Sequence, residues 1–315
     1  MNRRDLLKSL TLAGAASRLG LRTGAAMPPQ SHGHAESFTF LYFTDTHIQP
    51  ELNAAEGCRM CFAQMVHEPV QFAICGGDLI YDALAVDRSR ANMLWELYRQ
   101  TSSSLHVPVH YVIGNHDVFG VTPKSGVAPS DPEYGKKAYQ DRYGAAHYSF
   151  DYRGWHFVVL DSIGLHADRS WTGEVGQEQI AWLKEDLEKT GTQTPVIVVT
   201  HIPLVTGAVN YVSRSEWLKK TSDVGSLVNS LMVTDAAEVI DVLLGYKVRA
   251  VLQGHTHVNE EIEFRGLRFM TSGAVSGNWW SGIRGGSPEG YSIVTVGADG
   301  SVRREYRTYG FHSVV

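Results

Sequence analysis

The chain has 315 residues, 43% of them hydrophobic and 19% charged, which is the composition of a folded protein with a sizeable core. Its net charge is −5, of which the first 26 residues contribute +4, so the remaining body stands at −9. An acidic body argues against a nucleic-acid polymer or an anionic membrane as partner, since both need basic surface.

The N-terminus opens with Arg3, Arg4 and Lys8, runs through a weakly apolar stretch from Leu10 to Ala16, and reaches small residues at Gly24, Ala25 and Ala26. The apolar stretch is too short to span a membrane, because Ser17 and Arg18 interrupt it. Asn2-Arg3-Arg4-Asp5-Leu6-Leu7-Lys8 resembles the twin-arginine export signal. That signal usually has Ser or Thr where this chain has Asn2, and often Phe where it has Leu6. The expectation is a cleaved export signal over 1–26, a linker over 27–37, one domain over 38–315, and a periplasmic or secreted protein without a stable membrane span.

Phe38 to Phe43 is a run of apolar and aromatic residues and predicts a buried strand. A helix is expected from about Asn53 to His67, a strand from Val70 to Cys75, and a helix from Asp87 to Ser103 with Met93, Leu94, Leu97 and Tyr98 on its apolar side. Val109 to Ile113 predicts a third strand, and this alternation implies parallel pairing through crossovers. Residues 120–135 read as a loop. Tyr148–Tyr152 and Trp155–Leu160 predict a hairpin around Arg153-Gly154. A helix from Gln177 to Lys189 precedes a strand from Pro195 to Val199. Residues 203–232 suggest a long excursion with a short helix. A helix from Asp235 to Leu244 leads into a strand from Val248 to Leu252. The remainder reads as antiparallel strands: Glu260–Phe264, Leu267–Thr271, Tyr291–Val296 and Val302–Tyr309. The fold class expected is α/β, with two mixed β-sheets packed as a sandwich and helices on the outer faces.

The three cysteines are Cys58, Cys61 and Cys75. Cys58 and Cys61 have redox or zinc half-site spacing. They fall at i, i+3 within a predicted helix beside Met60, Phe62 and Met65, and no second pair completes a zinc site, so a buried face is the stronger reading.

Five short segments carry the chemistry: Asp45-Thr46-His47, Gly76-Gly77-Asp78, Gly114-Asn115-His116-Asp117, Thr200-His201 and Gly254-His255-Thr256-His257. Taken singly, Asp45 or Asp78 reads as a helix cap and His201 as a buried histidine. Together they supply two Asp, one Asn and four His as possible metal ligands, just past predicted strand ends, where the sites of open α/β sheets form. Carboxylate and amide oxygens mixed with imidazole nitrogens suit manganese, iron or zinc, and an Asp carboxylate can bridge two such ions.

In this order the segments resemble the calcineurin-like metallophosphoesterase family, whose motifs are D-x-H, G-D, G-N-H-D/E, H and G-H-x-H. The resemblance spans roughly Phe38 to Val296, and the spacing is similar to the bacterial cyclic-nucleotide phosphodiesterase branch. It implies that Asp45, His47 and His257 hold one metal, that Asn115, His201 and His255 hold a second, and that Asp78 bridges them. It implies a reaction in which two cations lower the pKa of a shared water and the resulting hydroxide attacks phosphorus in line with the leaving oxygen. It makes His116 the group that protonates or steadies the leaving oxygen, with Asp117 orienting it. The function expected is a phosphodiesterase acting on a small-molecule phosphate ester. A phosphomonoesterase of the same fold and a catalytically silent binding module stand as alternatives, and oligomeric state is left open. Specificity falls to the loop after His116, with Phe119, Lys124 and Tyr134, and to the loop carrying Trp279, Trp280 and Arg284, where the paired Trp either stack on a base or sugar or wall the core.

Overall fold

The computed structural model describes residues 36–212 and 229–314, all of which belong to the unit His34–Val315. The export signal over 1–26, nearly all of the linker over 27–37, and part of the 203–232 excursion lie outside the described residues.

Strands form where the sequence is apolar and β-branched or aromatic. A five-stranded sheet runs β13 (Val302–Thr308), β12 (Gly290–Val296), β1 (Phe38–Phe43), β2 (Phe72–Cys75), β3 (Val109–Tyr111). A six-stranded sheet runs β10 (Glu260–Phe264), β11 (Leu267–Thr271), β9 (Val248–Gln253), β8 (Val196–Thr200), β5 (Trp155–Leu160), β4 (Tyr148–Tyr152). Both are mixed. β1, β2 and β3 pair in parallel, as do β5, β8, β9 and β11, while β12, β13, β10 and β4 join antiparallel.

Alternation along each strand decides which face meets which layer. Phe38, Phe40 and Tyr42 of β1 pack with Phe157, Val159, Ile197, Val199, Ala250 and Leu252 of the other sheet, forming the interior between the sheets. Leu41 and Phe43 point the opposite way, to the helical layer of α1 (Ala54–Met65) and α2 (Arg88–Ser102). On the second sheet, Val196, Val198 and Val251 face α4 (Gln177–Thr190) and α6 (Ala236–Leu243). The sandwich with outer helices is thus as expected.

Three local readings change. The buried stripe of α2 is Ala91, Leu94, Trp95 and Tyr98, and Met93 points outward, because the i, i+3, i+4, i+7 row that includes the large Trp95 covers more of the core. A helix α3 (Lys137–Tyr143) and a small hairpin of β6 (Ile163–Leu165) and β7 (Trp171–Gly173) occur where no element is expected. Both are too short to show a period. Within the excursion, α5 (Ala208–Val212) is described. Cys58, Cys61 and Cys75 are free and buried, and burial pushes all three thiols up, as suits core residues rather than a redox pair. No described helix is long and apolar enough to cross a membrane.

Candidate metal centre

The parallel strands end along one rim, and most of those ends lead straight into a potential ligand. Asp45 comes just after β1, Asp78 after β2, Asn115 after β3, His201 after β8 and His255 after β9. The turns are tied to one another: Asp45 N–H donates to Gly77 O at 2.9 Å, Gly254 N–H to His201 O at 3.0 Å, and Ser276 N–H to Asp45 O at 3.2 Å. β5 ends on Asp161 instead, whose carboxylate is held by Lys136 Nζ at 2.6 Å and Ile163 N–H at 3.0 Å. It takes no part in the cluster.

Turning polar side chains back over the sheet requires sharp backbone. Asp45, His47, Asp78, His255 and His257 all adopt left-handed φ, between 38° and 69°. Such strain costs ~1–3 kcal/mol per residue and persists only where the surroundings over-determine it. Gly114 is needed for a different reason: a Cβ there would lie 2.1 Å from Asp78 Oδ1.

The result is a buried cluster. Asp45, His47 and His257 offer ligand atoms within 4.8 Å of one another, as do Asp78, His201 and His255, and a third trio joins His47 and Asp78 to His116. His257 Nε2 lies 3.2 Å from Asp45 Oδ1, and His201 Nε2 lies 3.1 Å from Asp78 Oδ2. Asp78 Oδ2 is also 3.5 Å from His47 Nε2, so this one oxygen faces both halves of the cluster. Asn115 is buried on the same rim and its Oδ1 has no hydrogen-bond partner.

Each group holds one donor atom back. Asp45 Oδ2 accepts from Thr44 Oγ1 at 2.6 Å and from His255 N–H at 3.0 Å, while Oδ1 has no hydrogen-bond partner. Asp78 Oδ1 accepts the His116 N–H at 2.8 Å, leaving Oδ2 inward. His201 Nδ1 donates to Gly76 O at 2.8 Å and His257 Nδ1 to Gly277 O, which turns Nε2 of each ring inward. His255 is reversed: Nε2 donates to Ser230 O at 2.8 Å and Nδ1 is left free. His47 Nε2 meets His257 Nε2 at 3.1 Å, an approach of two imidazole nitrogens that a shared proton or cation relieves. Buried polar atoms are nearly always satisfied, so this converging set of unsatisfied ones fits bound cations.

The electrostatics agree. Burial pushes His47 and His255 down to about 4, so both stay neutral and able to ligate. Burial also opposes a charge on His201, but Asp78 and Asp45 outweigh it and raise that ring to about 9. Burial opposes ionisation of Asp45 and Asp78 too. His257 and His201 beside Asp45, and His201 and His116 beside Asp78, outweigh it and hold both carboxyls well below the usual range.

His116 and Asp117 part company. His116 is half-buried, its ring edge-on to His47 at 4.8 Å, and its Nδ1 lies 4.0 Å from Asp82 Oδ1. The Asp117 carboxylate is fully buried and accepts backbone N–H groups of Asp78, Leu79 and Gly114, each at 2.9 Å. Burial and the charge of Asp78 push its carboxyl up to about 8 against these three donors. The expectation that Asp117 orients the His116 ring is therefore corrected: it locks the turns that present Asp78 and Asn115. The carboxylate beside the His116 ring is that of Asp82, 4.0 Å from Nδ1.

A cavity of ≈ 120 Å³ opens onto the cluster, lined by Asn115, His116 and His255 and walled by Trp171, Leu231, Trp279 and Arg284. The two consecutive tryptophans divide. Trp280 is fully buried, donates Nε1–H to His47 O at 3.0 Å, and packs edge-on against Phe311. Trp279 is half-buried, 4.5 Å from the His257 ring, with the Arg284 guanidinium 5.1 Å over it. The loop after His116 does not line this cavity. Phe119 is core, packed with Trp95 and Arg88. Trp171 and Leu231 escape sequence reasoning because no motif surrounds them.

A family model described as calcineurin-like phosphoesterase matches residues 38–259. The chain is 26% identical over 262 residues to the serine/threonine-protein phosphatase CPPED1 of Bos taurus, covering 82% of this chain and 74% of that protein. It is 24% identical over 281 residues to the 3',5'-cyclic adenosine monophosphate phosphodiesterase CpdA of Haemophilus influenzae, covering 85% of this chain and 88% of that one. Its fold is similar to that of a dimetal phosphatase from Danio rerio, with a TM-score of 0.56 at 17% identity over 87% of this chain and 99% of that one. With the match to the family model spanning most of the chain and a His/Asp cluster able to hold metal on the rim, the chain belongs to the calcineurin-like phosphoesterase family of phosphate-ester hydrolases.

Proposed function

We propose that this chain is a dinuclear metal-dependent phosphodiesterase acting on a small-molecule ester. The observation that carries this reading is the single inward donor left on each buried group: Asp45 Oδ1, Asn115 Oδ1, His201 Nε2 and His255 Nδ1 have no hydrogen-bond partner, and Asp78 Oδ2 faces both halves. Asp45, His47 and His257 would hold one ion, Asn115, His201 and His255 the other, and Asp78 both. The donor mix favours manganese, iron or zinc. Bound there, two such ions supply an activated water and neutralise the phosphate charge.

The protein's own groups do the rest. Trp280 and the Gly277 carbonyl fix the loop and ring behind His47 and His257. His116, the half-exposed imidazole at the cavity wall, donates the proton that the departing alkoxide needs. The Asp82 carboxylate stands 4.0 Å from its Nδ1. Arg284 adds a fixed positive charge at the mouth. The diester reading is supported by the compact aromatic walls, Trp171 and Trp279, which suit an ester with organic arms on both sides. It is also supported by the similarity to a cyclic adenosine monophosphate phosphodiesterase along nearly its whole length. The Arg3-Arg4 segment supports export to the periplasm, which fractionation of cells producing the full chain would test.

Metal analysis followed by hydrolysis of bis(p-nitrophenyl) phosphate and p-nitrophenyl phosphate tests the reading. We expect about two ions per chain and roughly a tenfold preference for the diester, worth ~1.4 kcal/mol in transition-state binding. A preference for the monoester would overturn the diester assignment, and metal-loaded protein that hydrolyses neither would overturn the catalytic one.

A further inference from the structure

We propose that Glu289 forms a second ligand site, apart from the metal cluster, that takes a small organic ammonium ion. Glu289 is only 6% exposed, yet its Oε1 is buried without a partner. Among the described residues no hydrogen bond or ion pair reaches this oxygen. A carboxylate oxygen taken out of water in this way is costly unless a cation or donor meets the group.

Glu289 lines a cavity of ≈ 360 Å³, whose other walls include Ile283, Pro288, Phe311 and His312. The chemistry of those walls selects the cation. Hard metal ions ask for several oxygen ligands, and Glu289 is the one carboxylate here. Ile283 and Pro288 give apolar cover for an alkyl body, and Phe311 adds an aromatic side chain to the same wall. Ile283 is 62% exposed at the rim, where an occupant would shield it.

The site sits directly behind the metal cluster. A Cβ on Gly277 would lie 2.8 Å from the Glu289 Cγ, so the Glu289 stem packs against that residue. The Gly277 carbonyl accepts the Nδ1–H of His257. An occupant therefore presses on the loop that aims a metal-ligand candidate and carries Trp279.

Thermal unfolding of the full chain with n-butylammonium, n-butanol or potassium ion at matched concentration tests this. Butylammonium should raise Tm in the unaltered protein, while butanol and potassium should not. Glu289→Gln should abolish the shift and, without ligand, be at least as stable as the parent, because the amide keeps the size of the side chain and removes no hydrogen bond. Ile283→Arg, at an exposed position, should place a guanidinium at the cavity and block the butylammonium shift. The shift should persist after chelation of metal, which separates this site from the proposed catalytic one. Equal shifts in the parent and Glu289→Gln, a matching shift from potassium, or a marked loss of stability in Glu289→Gln would each overturn the proposal.

Discussion

Between the sheets, β1 presents Phe38, Phe40 and Tyr42 to Phe72, Phe157 and Val199 in regular extended backbone. Two to four residues beyond the end of the same strand, Asp45 and His47 sit in left-handed backbone, fully buried, with donor atoms unpartnered. One region gains stability from area removed from water; the other gives some up to hold strained polar groups together. The contrast locates function without reference to any motif. It also explains Asp117, which resembles Asp78 in burial but spends its carboxylate on three backbone N–H groups.

The sharpest break in this contrast is Asp78→Ala. It removes the one oxygen that faces both halves of the rim, so metal content should fall and diester hydrolysis should drop by about 10³-fold or more. Mass-spectrometric metal analysis and kinetics check this, and full metal retention would contradict it. Trp280→Ala moves the test to the packed side. Removing a fully buried indole should cost ~3–5 kcal/mol, read by denaturant unfolding. His116→Ala should keep metal and stability while kcat falls ~10²–10⁴-fold, the range of a lost general acid. Unchanged turnover would remove His116 from the mechanism.

The pH dependence of metal binding rests on His201. Its folded pKa is raised to about 9, so in the metal-free chain its proton is bound between the ordinary value of ~6.5 and about 9. The stability that this proton lends is fully present below ~6.5 and is lost as pH rises through about 9. A ligating cation must displace the proton, so metal affinity should rise with pH, by ~tenfold per unit while one proton is exchanged. Titration calorimetry in buffers of different ionisation enthalpy measures the proton released. Trp279→Ala is the smallest perturbation: stability should change by under ~1 kcal/mol and KM by a few-fold, because this ring lines the mouth and is half-exposed.

Much of this was legible in the chain. Period-two alternation and apolar runs marked β1, β2, β4, β5, β8 and β9 within a residue or two at most ends. The five motif segments named every member of the rim cluster, because sharp turns after strands need Gly, Asp and Asn in recognisable order. Other features were not legible. The partners of Asp117 lie in backbone 38 and 39 positions away as well as in its own turn, and a backbone donor leaves no mark on composition. Trp171 comes from a three-residue strand with no period, and reaches the cavity only because the β6–β7 hairpin folds over that end of the sandwich.

By itself the sequence determined which residues could ligate and that they succeed parallel strands, since residue type and strand order are properties of the chain. Tertiary structure alone decided how those residues divide their atoms. Which oxygen of Asp45 faces inward, which nitrogen of His255 is free, and which of two neighbouring tryptophans is core depend on contacts across 210 positions for Asp45 with His255, 25 for His255 with Ser230 and 233 for His47 with Trp280. Hydrogen bonds and packing act through space, and the order of residues along a chain does not encode that distance.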